Sequence, residues 1–206
     1  MQEQGRRIVA RKADVRRLDE LQAAVTEGVA RLGRLDIVVA NAGIVNYGRT
    51  WELTEEQWDD VIDINLTGVW KTVKATVPTL IEQGEGGSII ITSSVAGLKG
   101  LPFLAHYASS KHGVVGLARV LANELGEHDI RVNTVHPHGV RTGMNDGALN
   151  GLLDEAPNLG PLYMPALPYE AADPEDIAAM VAFLASDDGK FITGSQLRVD
   201  LGAVNR

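Results

Sequence analysis

The sequence predicts a single α/β domain in which helices connect the strands of a parallel sheet. Short, nearly continuous apolar runs alternate along the chain with longer segments whose apolar residues recur at helical spacing, as in βα units. With 206 residues, 45% of them hydrophobic, the chain is long enough for one sizeable core but short for two full domains. We therefore expect residues 1–206 to fold as one unit.

Five apolar runs are predicted strands. They are short, as strands in such sheets are, and most are rich in Ile and Val: residues 8–10, 36–40, 88–92, 130–135 and 196–199.

Four segments have the period of amphipathic helices, and each carries a start or stop signal. The first covers about residues 18–32 and is stopped by Gly33. The second, at 54–83, begins where Thr54 and Gln57 can form a capping box. The third covers about residues 105–125, and the fourth begins where Asp173 precedes a proline suited to the first helical position.

Residues 143–172 interrupt this alternation. The segment is rich in Gly and Pro, yet it also carries a set of large apolar residues: Met144, Leu149, Leu152, Leu153, Leu159, Leu162, Tyr163, Met164 and Leu167. Insertions of this length are usually lids or disordered segments, and the apolar content favours a lid over a substrate site. An irregular segment packed on the core is an equally weighted alternative.

The composition argues against several classes of function. The formal net charge of -8 disfavours nucleic acid as a partner, and the chain has no cysteine for disulfides or thiolate chemistry. No run of apolar residues is long enough to span a membrane, so we expect a soluble cytoplasmic protein without a membrane partner. His136 and His138 have no nearby third ligand, and we predict no metal site.

Tyr107 and Lys111 lie four residues apart on the third predicted helix, so their head groups share one face. This spacing alone is compatible with a surface pair that arose by chance. However, Asn41, Ser94 and Pro137 each follow a predicted strand, and reactive groups in an open parallel sheet gather beyond the carboxyl ends of its strands. Three strand ends are therefore expected to converge on one crevice.

These motifs, in this order, resemble those of the short-chain dehydrogenase/reductase family. The match consists of Asn41-Ala-Gly43, Asn65 in the second helix, Ser94, Tyr107-x-x-x-Lys111 and the turn at 137–142. It covers nearly the whole chain and implies an α/β, three-layer Rossmann-like fold, with helices on both faces of the parallel sheet. The segments at 143–172 and 173–187 are similar to the carveol-dehydrogenase-like, mycofactocin-associated branch.

The resemblance implies four catalytic residues. Tyr107 exchanges a proton with the substrate oxygen, and Lys111 adds positive charge that favours the phenolate. Ser94 hydrogen-bonds the substrate oxygen as charge develops. Asn65 holds a water that relays protons to the lysine in the family; a helix-kinking core asparagine is the structural alternative, and it does not exclude that role.

The resemblance also implies a cofactor, NAD in preference to NADP. The residues that match its binding positions are Asp14, Val15, Asn41, Ala42, Gly43, Tyr107, Lys111, Pro137, Gly139, Val140 and Thr142. Asp14 and Val15 match the pair that grips the adenine, although Asp14 is also compatible with a plain loop aspartate before a helix. His138 stands where glycine commonly follows the proline, which leaves the backbone geometry of that turn open.

The same comparison predicts that the chain lacks the first two βα units of the family, roughly 60 residues that include the glycine-rich pyrophosphate turn. Residues 36–40 then form an exposed sheet edge, and we expect weak binding of NAD. Four explanations stay open: a shortened or misread gene product, a terminal segment pairing beside residues 36–40, two chains pairing across that edge, and a trimmed expression product.

We expect a nicotinamide-dependent oxidoreductase that moves a hydride between NAD(H) and an apolar secondary alcohol or ketone, such as a terpenoid. A 3-oxoacyl thioester reductase is the enzymatic alternative, although Arg141 is nearly alone as a basic candidate for carrier-protein contact near the cleft. The other alternative is a catalytically silent module that acts by association. Family members commonly form homo-oligomers, tetramers or dimers, through the helices at 54–83 and 105–125.

Overall fold

The computed structural model describes residues 5–144 and 147–205, which form a four-stranded parallel sheet between layers of helices. The strands are β1 (Ile37–Ala40), β2 (Gly87–Thr92), β3 (Ile130–Pro137) and β4 (Gln196–Val199), and they lie side by side in chain order. All three pairings are parallel. Four of the five predicted strands are therefore present.

The helices are α1 (Leu18–Leu32), α2 (Glu55–Ile62), α3 (Gly68–Gln83), α4 (Ala105–Glu124), α5 (Ala148–Glu155) and α6 (Pro174–Ala185). On one face of the sheet, α3 and α4 pack their Val, Leu and Ala side chains against β1, β2 and β3. On the other face, α6 packs against Ile90 and Val135 through Leu184 and its partly buried neighbours. This three-layer arrangement confirms the predicted α/β class.

The capping residues predicted to start two of the helices lie at the helix starts in the structure. Thr54 accepts the backbone N–H of Gln57, whose side chain bonds the backbone of Thr54 in return, and so α2 begins with the expected capping box. Asp173 and Asp176 form the equivalent box at the start of α6. Each box satisfies backbone N–H groups that the first turn of a helix leaves without partners.

The predicted strand at residues 8–10 is wrong, because these residues pair with no strand. The segment instead follows α1: Arg7 donates to the carbonyl of Leu32 at 3.1 Å, and Arg11 forms an ion pair with Glu27 at 2.7 Å. A β-strand is stabilised by backbone hydrogen bonds to a neighbouring strand. In the described chain β1 pairs with β2, and residues 8–10 have no neighbouring strand to pair with.

The side of the molecule that carries β1 and α1 is sparsely covered within the described residues. Ile37 and Val39 are 45% and 44% exposed on one face of β1, whereas Val38 and Ala40 are buried on the other. No residue of α1 is fully buried, and its apolar stripe borders a groove of about 280 Å³ shared with α3. The predicted exposed edge at residues 36–40 is therefore present in the described chain.

The second predicted helix is divided. Residues Asp63–Thr67 form a π-helical turn between α2 and α3, which helical spacing in the sequence did not reveal.

Residues 143–172 contain α5 and a 3₁₀ stretch, Pro157–Tyr163, and much of this segment is exposed. Among helices built from residues 5–144 and 147–205, none combines the length and apolarity needed to cross a membrane.

Candidate active site

The carboxyl ends of β1, β2 and β3 meet at one edge of the sheet, as predicted. The Thr92 hydroxyl at the end of β2 donates to Asn41 Oδ1 beyond β1 at 2.9 Å. On the other side, Nδ1 of His136 in β3 lies 2.8 Å from the carbonyl oxygen of Ser94. These two contacts join the three strand ends that carry the candidate residues.

Tyr107 and Lys111 lie together on α4 and face this edge. The ammonium of Lys111 is 5.5 Å from the centre of the Tyr107 ring and donates to the carbonyl of Thr92 at 2.9 Å. Its side chain is almost fully buried, and this desolvation lowers its pKa from 10.5 to about 8. The pair therefore consists of a buried lysine beside a partly buried tyrosine and is not a chance pair on the surface.

Ser94 begins the 3₁₀ turn Val95–Gly97 directly after β2. Its Oγ accepts the backbone N–H of Ala96 at 3.1 Å, and it lies near enough to the Tyr107 phenol to act on the pKa of that group. Burial raises the pKa of the Tyr107 phenol, whereas Ser94 acts in the opposite direction. The serine hydroxyl and the phenol are therefore neighbours beyond the carboxyl end of β2.

Asn65 is fully buried in the π-helical turn, and its amide is held on both sides. Oδ1 accepts the N–H of Ile44 at 2.8 Å, and Nδ2 donates to the carbonyl of Ile44 at 2.9 Å and to Ser110 at 3.3 Å. These bonds satisfy a polar group that would otherwise be costly in an apolar core. They also connect the helix to the loop that follows β1.

Gly43 allows this loop to approach the lysine. A Cβ at this position would lie 3.2 Å from Asn65 Oδ1 and 3.5 Å from Lys111 Nζ, so a side chain has little room there. Asn41 and Ala42, just before it, are exposed at the open side of the site. The Asn-Ala-Gly motif thus follows β1 with a backbone that runs close against the buried lysine.

Asp14 and Val15 lie on the β1 side of the site. The Asp14 carboxylate accepts hydrogen bonds from the backbone and guanidinium of Arg16, which lower its pKa to about 2. Val15 packs so closely on Gly68 that a Cβ there would lie 2.8 Å from Val15 Cγ2. Val15, Asn41 and Ala42 line a cavity of about 190 Å³ at the end of β1.

The turn at 137–142 connects β3 to residues 143–172. Gly139 accepts the N–H of Ala172 at 2.9 Å, and Val140 forms a parallel bridge with the same residue. The Thr142 hydroxyl accepts the N–H of Met144 at 3.3 Å. His138 does not have a positive φ, so its side chain is accommodated without strain where glycine was expected.

The family comparisons agree with this geometry. Residues 1–204 match a family described as enoyl-(acyl carrier protein) reductase. A short-chain type dehydrogenase/reductase of Mycolicibacterium smegmatis is 53% identical over 97% of this chain and 75% of that protein. The chain belongs to the short-chain dehydrogenase/reductase family.

Solved structures of this family superpose closely on the chain. A short-chain dehydrogenase from Mycobacterium paratuberculosis bound to NAD is 48% identical, with a TM-score of 0.97 over 100% of this chain and 77% of its own. A carveol dehydrogenase from Mycobacterium avium in complex with NAD is 45% identical, with a TM-score of 0.93 over 100% of this chain and 78% of its own. The Rossmann-like class and the likeness to carveol dehydrogenases are thereby confirmed.

The structure of this short-chain dehydrogenase/reductase adds residues that the sequence motifs did not identify. Tyr47, in the loop after β1, is close enough to Tyr107 and Tyr163 to raise the pKa of both phenols. The Tyr163 hydroxyl donates to the carbonyl of Pro102, which ties residues 157–163 to the segment before α4. Neither tyrosine belongs to a motif, and only the tertiary contacts show that they border the site.

His136 and His138 have separate structural partners. His136 bonds Ser94 and Thr134. Burial lowers the pKa of His138, and the nearby backbone of Tyr163 acts in the opposite direction. Across residues 5–144 and 147–205, no three His, Asp or Glu side chains lie close enough together to hold a metal ion.

Proposed function

We propose that this protein transfers a hydride between NAD and an apolar secondary alcohol or ketone, with Tyr107 as the acid or base. The observation that carries the proposal is the position of Tyr107 against the buried Lys111 and beside Ser94, beyond the ends of three parallel strands. Two solved structures of relatives in the same family are described as bound to NAD.

The residues around the site fit such a cofactor. Asp14 and Val15 would contact the adenosine half, since Val15 lines the cavity at the end of β1. Asn41, Ala42 and Gly43 would lie along the bound cofactor. The backbone at Gly43 approaches Lys111 closely, with no side chain between the loop and the lysine. Tyr107 and Lys111 would contact the nicotinamide ribose, and the backbone at Pro137, Gly139, Val140 and Thr142 would hold the nicotinamide carboxamide.

Bound NAD would supply the acceptor or donor of the hydride and, in its oxidised form, a positive charge beside the substrate. Tyr107 supplies the proton. Because burial raises the pKa of its phenol, it is protonated near neutral pH and can give a proton to a ketone oxygen as the hydride arrives. In the oxidation, Tyr107 would first release its phenol proton to solvent through the relay water, and the resulting phenolate, stabilised by the Lys111 ammonium, would take the hydroxyl proton of the alcohol.

Ser94 and Asn65 support this proton transfer in different ways. The Ser94 hydroxyl, which lies beside Tyr107, would hydrogen-bond the substrate oxygen and stabilise its developing charge. Asn65 would fix the loop after β1 against the lysine through Ile44 and would hold the relay water with its remaining lone pair.

The surroundings of Tyr107 favour an apolar substrate. Val45, Val95, Leu101, Leu104 and the rings of Tyr47 and Tyr163 gather beside it. Residues 143–172 would form a lid on this apolar side, within a single domain. We therefore propose a terpenoid-like alcohol as the substrate class, in keeping with the solved relative described as a carveol dehydrogenase.

A 3-oxoacyl thioester reductase is less well supported. Arg141 is paired with Asp173 at 3.3 Å and with the carbonyl of Ala171, and Arg49 is paired with Glu155 at 3.1 Å. These cations near the cleft are thus already neutralised by the chain itself, which leaves less positive charge to attract an acidic carrier protein.

The decisive experiment compares Tyr107→Phe with wild type in NAD-linked oxidation of carveol. We expect turnover to fall by about 10²- to 10⁴-fold, because the phenyl ring keeps the packing but has no proton to exchange. Tyr169→Phe, which removes a hydroxyl from an exposed tyrosine in residues 143–172, is the matched control and should retain activity. Equal background rates in wild type and Tyr107→Phe would support the catalytically silent alternative.

We also propose that the protein forms a homo-oligomer through α3 and α4. Trp70 on α3 is 44% exposed and Val120 on α4 is 52% exposed, so both helices offer apolar surface that a second copy of the chain would bury. Tetrameric state, cytoplasmic location and association with mycofactocin stay predictions. Light scattering of the purified chain would measure the oligomeric mass.

A further inference from the structure

His136 lies fully buried between the end of β2 and the turn that follows β3. Both nitrogens of its ring are used. Nδ1 is 2.8 Å from the carbonyl oxygen of Ser94, and Nε2 is 2.7 Å from the hydroxyl oxygen of Thr134. The imidazole therefore connects the strand that carries Ser94 to the strand that leads into the turn at 137–142.

The partners of the ring identify its tautomer. A carbonyl oxygen can only accept, so Nδ1 carries a hydrogen and donates to Ser94. The Thr134 hydroxyl lies 2.7 Å from Nε2 and 3.4 Å from the carbonyl oxygen of Ser195, so it can donate to the nearer lone pair of Nε2, which leaves the ring neutral. Burial favours this state because it lowers the pKa of His136. The hydrogen bond to Ser94 and the charge of Asp200 act against burial, whereas the ammonium of Lys111 and the ring of His112 act with it.

The bond to Ser94 has a reason in the ladder between β2 and β3. The N–H of Ser93 donates to the carbonyl of Val135 at 2.8 Å, and in a parallel ladder the next donor on β3 would be the amide of residue 137. Residue 137 is proline, which has no N–H. At residue 137, β3 therefore has no backbone N–H to donate to β2. The His136 side chain instead donates a hydrogen bond to Ser94, the residue after Ser93.

We propose that His136 is a positioning residue that holds Ser94 at the end of β2, on the side of the site where Tyr107 lies, by fixing the Ser94 carbonyl from β3. The inference rests on the proposed function, in which Ser94 contacts the substrate oxygen. Within the described residues, the Ser94 hydroxyl accepts a short-range hydrogen bond from the N–H of Ala96 at 3.1 Å. Without the imidazole, the turn that starts at Ser94 has no side-chain bond to β3.

Two substitutions of similar polarity separate this role from a general effect on folding. In His136→Asn, the amide nitrogen can occupy the place of Nδ1 and donate to Ser94, while the Thr134 hydroxyl loses its bond to the ring and keeps the carbonyl of Ser195 as an acceptor. In His136→Gln, the longer side chain reaches towards Thr134 and leaves the Ser94 carbonyl without its donor. His128→Gln, on the exposed turn before β3, is the control for replacing a histidine.

We expect kcat of His136→Gln to fall by about 10- to 100-fold, while its KM for NAD changes by less than about threefold. His136→Asn should recover kcat to within about threefold of wild type, at an equal or lower unfolding temperature. Nitrogen-15 spectra of the imidazole in the cofactor-free chain should show Nδ1 protonated and Nε2 unprotonated from about pH 6 to about pH 9.

A ring protonated at Nε2 alone would overturn the inference, and so would a His136→Gln variant as active as His136→Asn. Failure of the proposed function would give a different result. In that case Tyr107→Phe and Ser94→Ala would show the same turnover as wild type. The imidazole spectra would still report whether His136 donates to Ser94.

Discussion

Replacement of Lys111 by methionine should make the protein more stable near neutral pH while it abolishes catalysis. Lys111 is 3% exposed, and burial lowers its pKa from 10.5 to about 8. The folded chain therefore binds the lysine proton less tightly than the unfolded chain, which corresponds to about 3 kcal/mol of lost stability at pH 7. Methionine has a similar volume and no charge, so it removes this cost.

The dependence on pH gives the sharper test. Between about pH 8 and about pH 10.5 the unfolded chain still holds the proton that the folded chain has released, so the stability of wild type rises with pH. We expect the stability advantage of Lys111→Met over wild type to shrink by about 2 to 3 kcal/mol from pH 7 to pH 10. The absolute advantage at pH 7 will be smaller than the full pKa cost, because the carbonyl of Thr92 loses its donor.

Urea unfolding of both proteins, without cofactor, measures this difference at each pH. Comparing the two proteins cancels the titration of the other lysines and tyrosines, which both chains share. Lys190→Met, on an exposed side chain, should give a difference that does not change with pH. A Lys111→Met advantage that is constant from pH 7 to pH 10 would show that the pKa of the buried lysine is not lowered.

Three further predictions follow from close contacts and exposed surfaces. Gly43→Ala should lower turnover about tenfold, because its Cβ would lie 3.2 Å from Asn65 Oδ1 and displace the loop after β1; steady-state kinetics would measure this. Gly97→Ala should cost about 1 to 3 kcal/mol of unfolding free energy, since its Cβ would lie 2.4 Å from the Oγ of Ser93; urea titration would detect it. Gly100→Ala, where a Cβ meets nothing within 4 Å, is the control for both and should change neither. Val120→Glu should reduce the oligomeric mass in light scattering without loss of helical circular dichroism, because a charge disfavours burial between copies; an unchanged mass would place the interface elsewhere.

The order of the elements could be predicted because the information is local. A capping residue such as Thr54 and the apolar spacing along α1 act within a few turns of chain, so the sequence itself contains them. The prediction failed at residues 8–10, where an apolar run has no neighbouring strand. Strand formation depends on a partner, and a run of three apolar residues cannot indicate whether one is present.

The candidate site was predictable for a related reason. In a parallel sheet every strand end on one side comes to the same edge, so Asn41 and Ser94 could be assigned to one crevice before any contact was known. The π-helical turn around Asn65 was not predictable, because it differs from an α-helix by the insertion of one residue in a turn and leaves the apolar pattern nearly intact.

By itself, the sequence determined the family, the βα order and the residues that meet at the strand ends, since these depend on motif order and local periodicity. Only the tertiary structure decided the protonation and placement of those residues. The lowered pKa of Lys111 and the neutral His136 beside Ser94 come from burial and from partners distant in sequence. Desolvation and hydrogen-bond geometry are properties of the packed interior, which chain spacing does not specify.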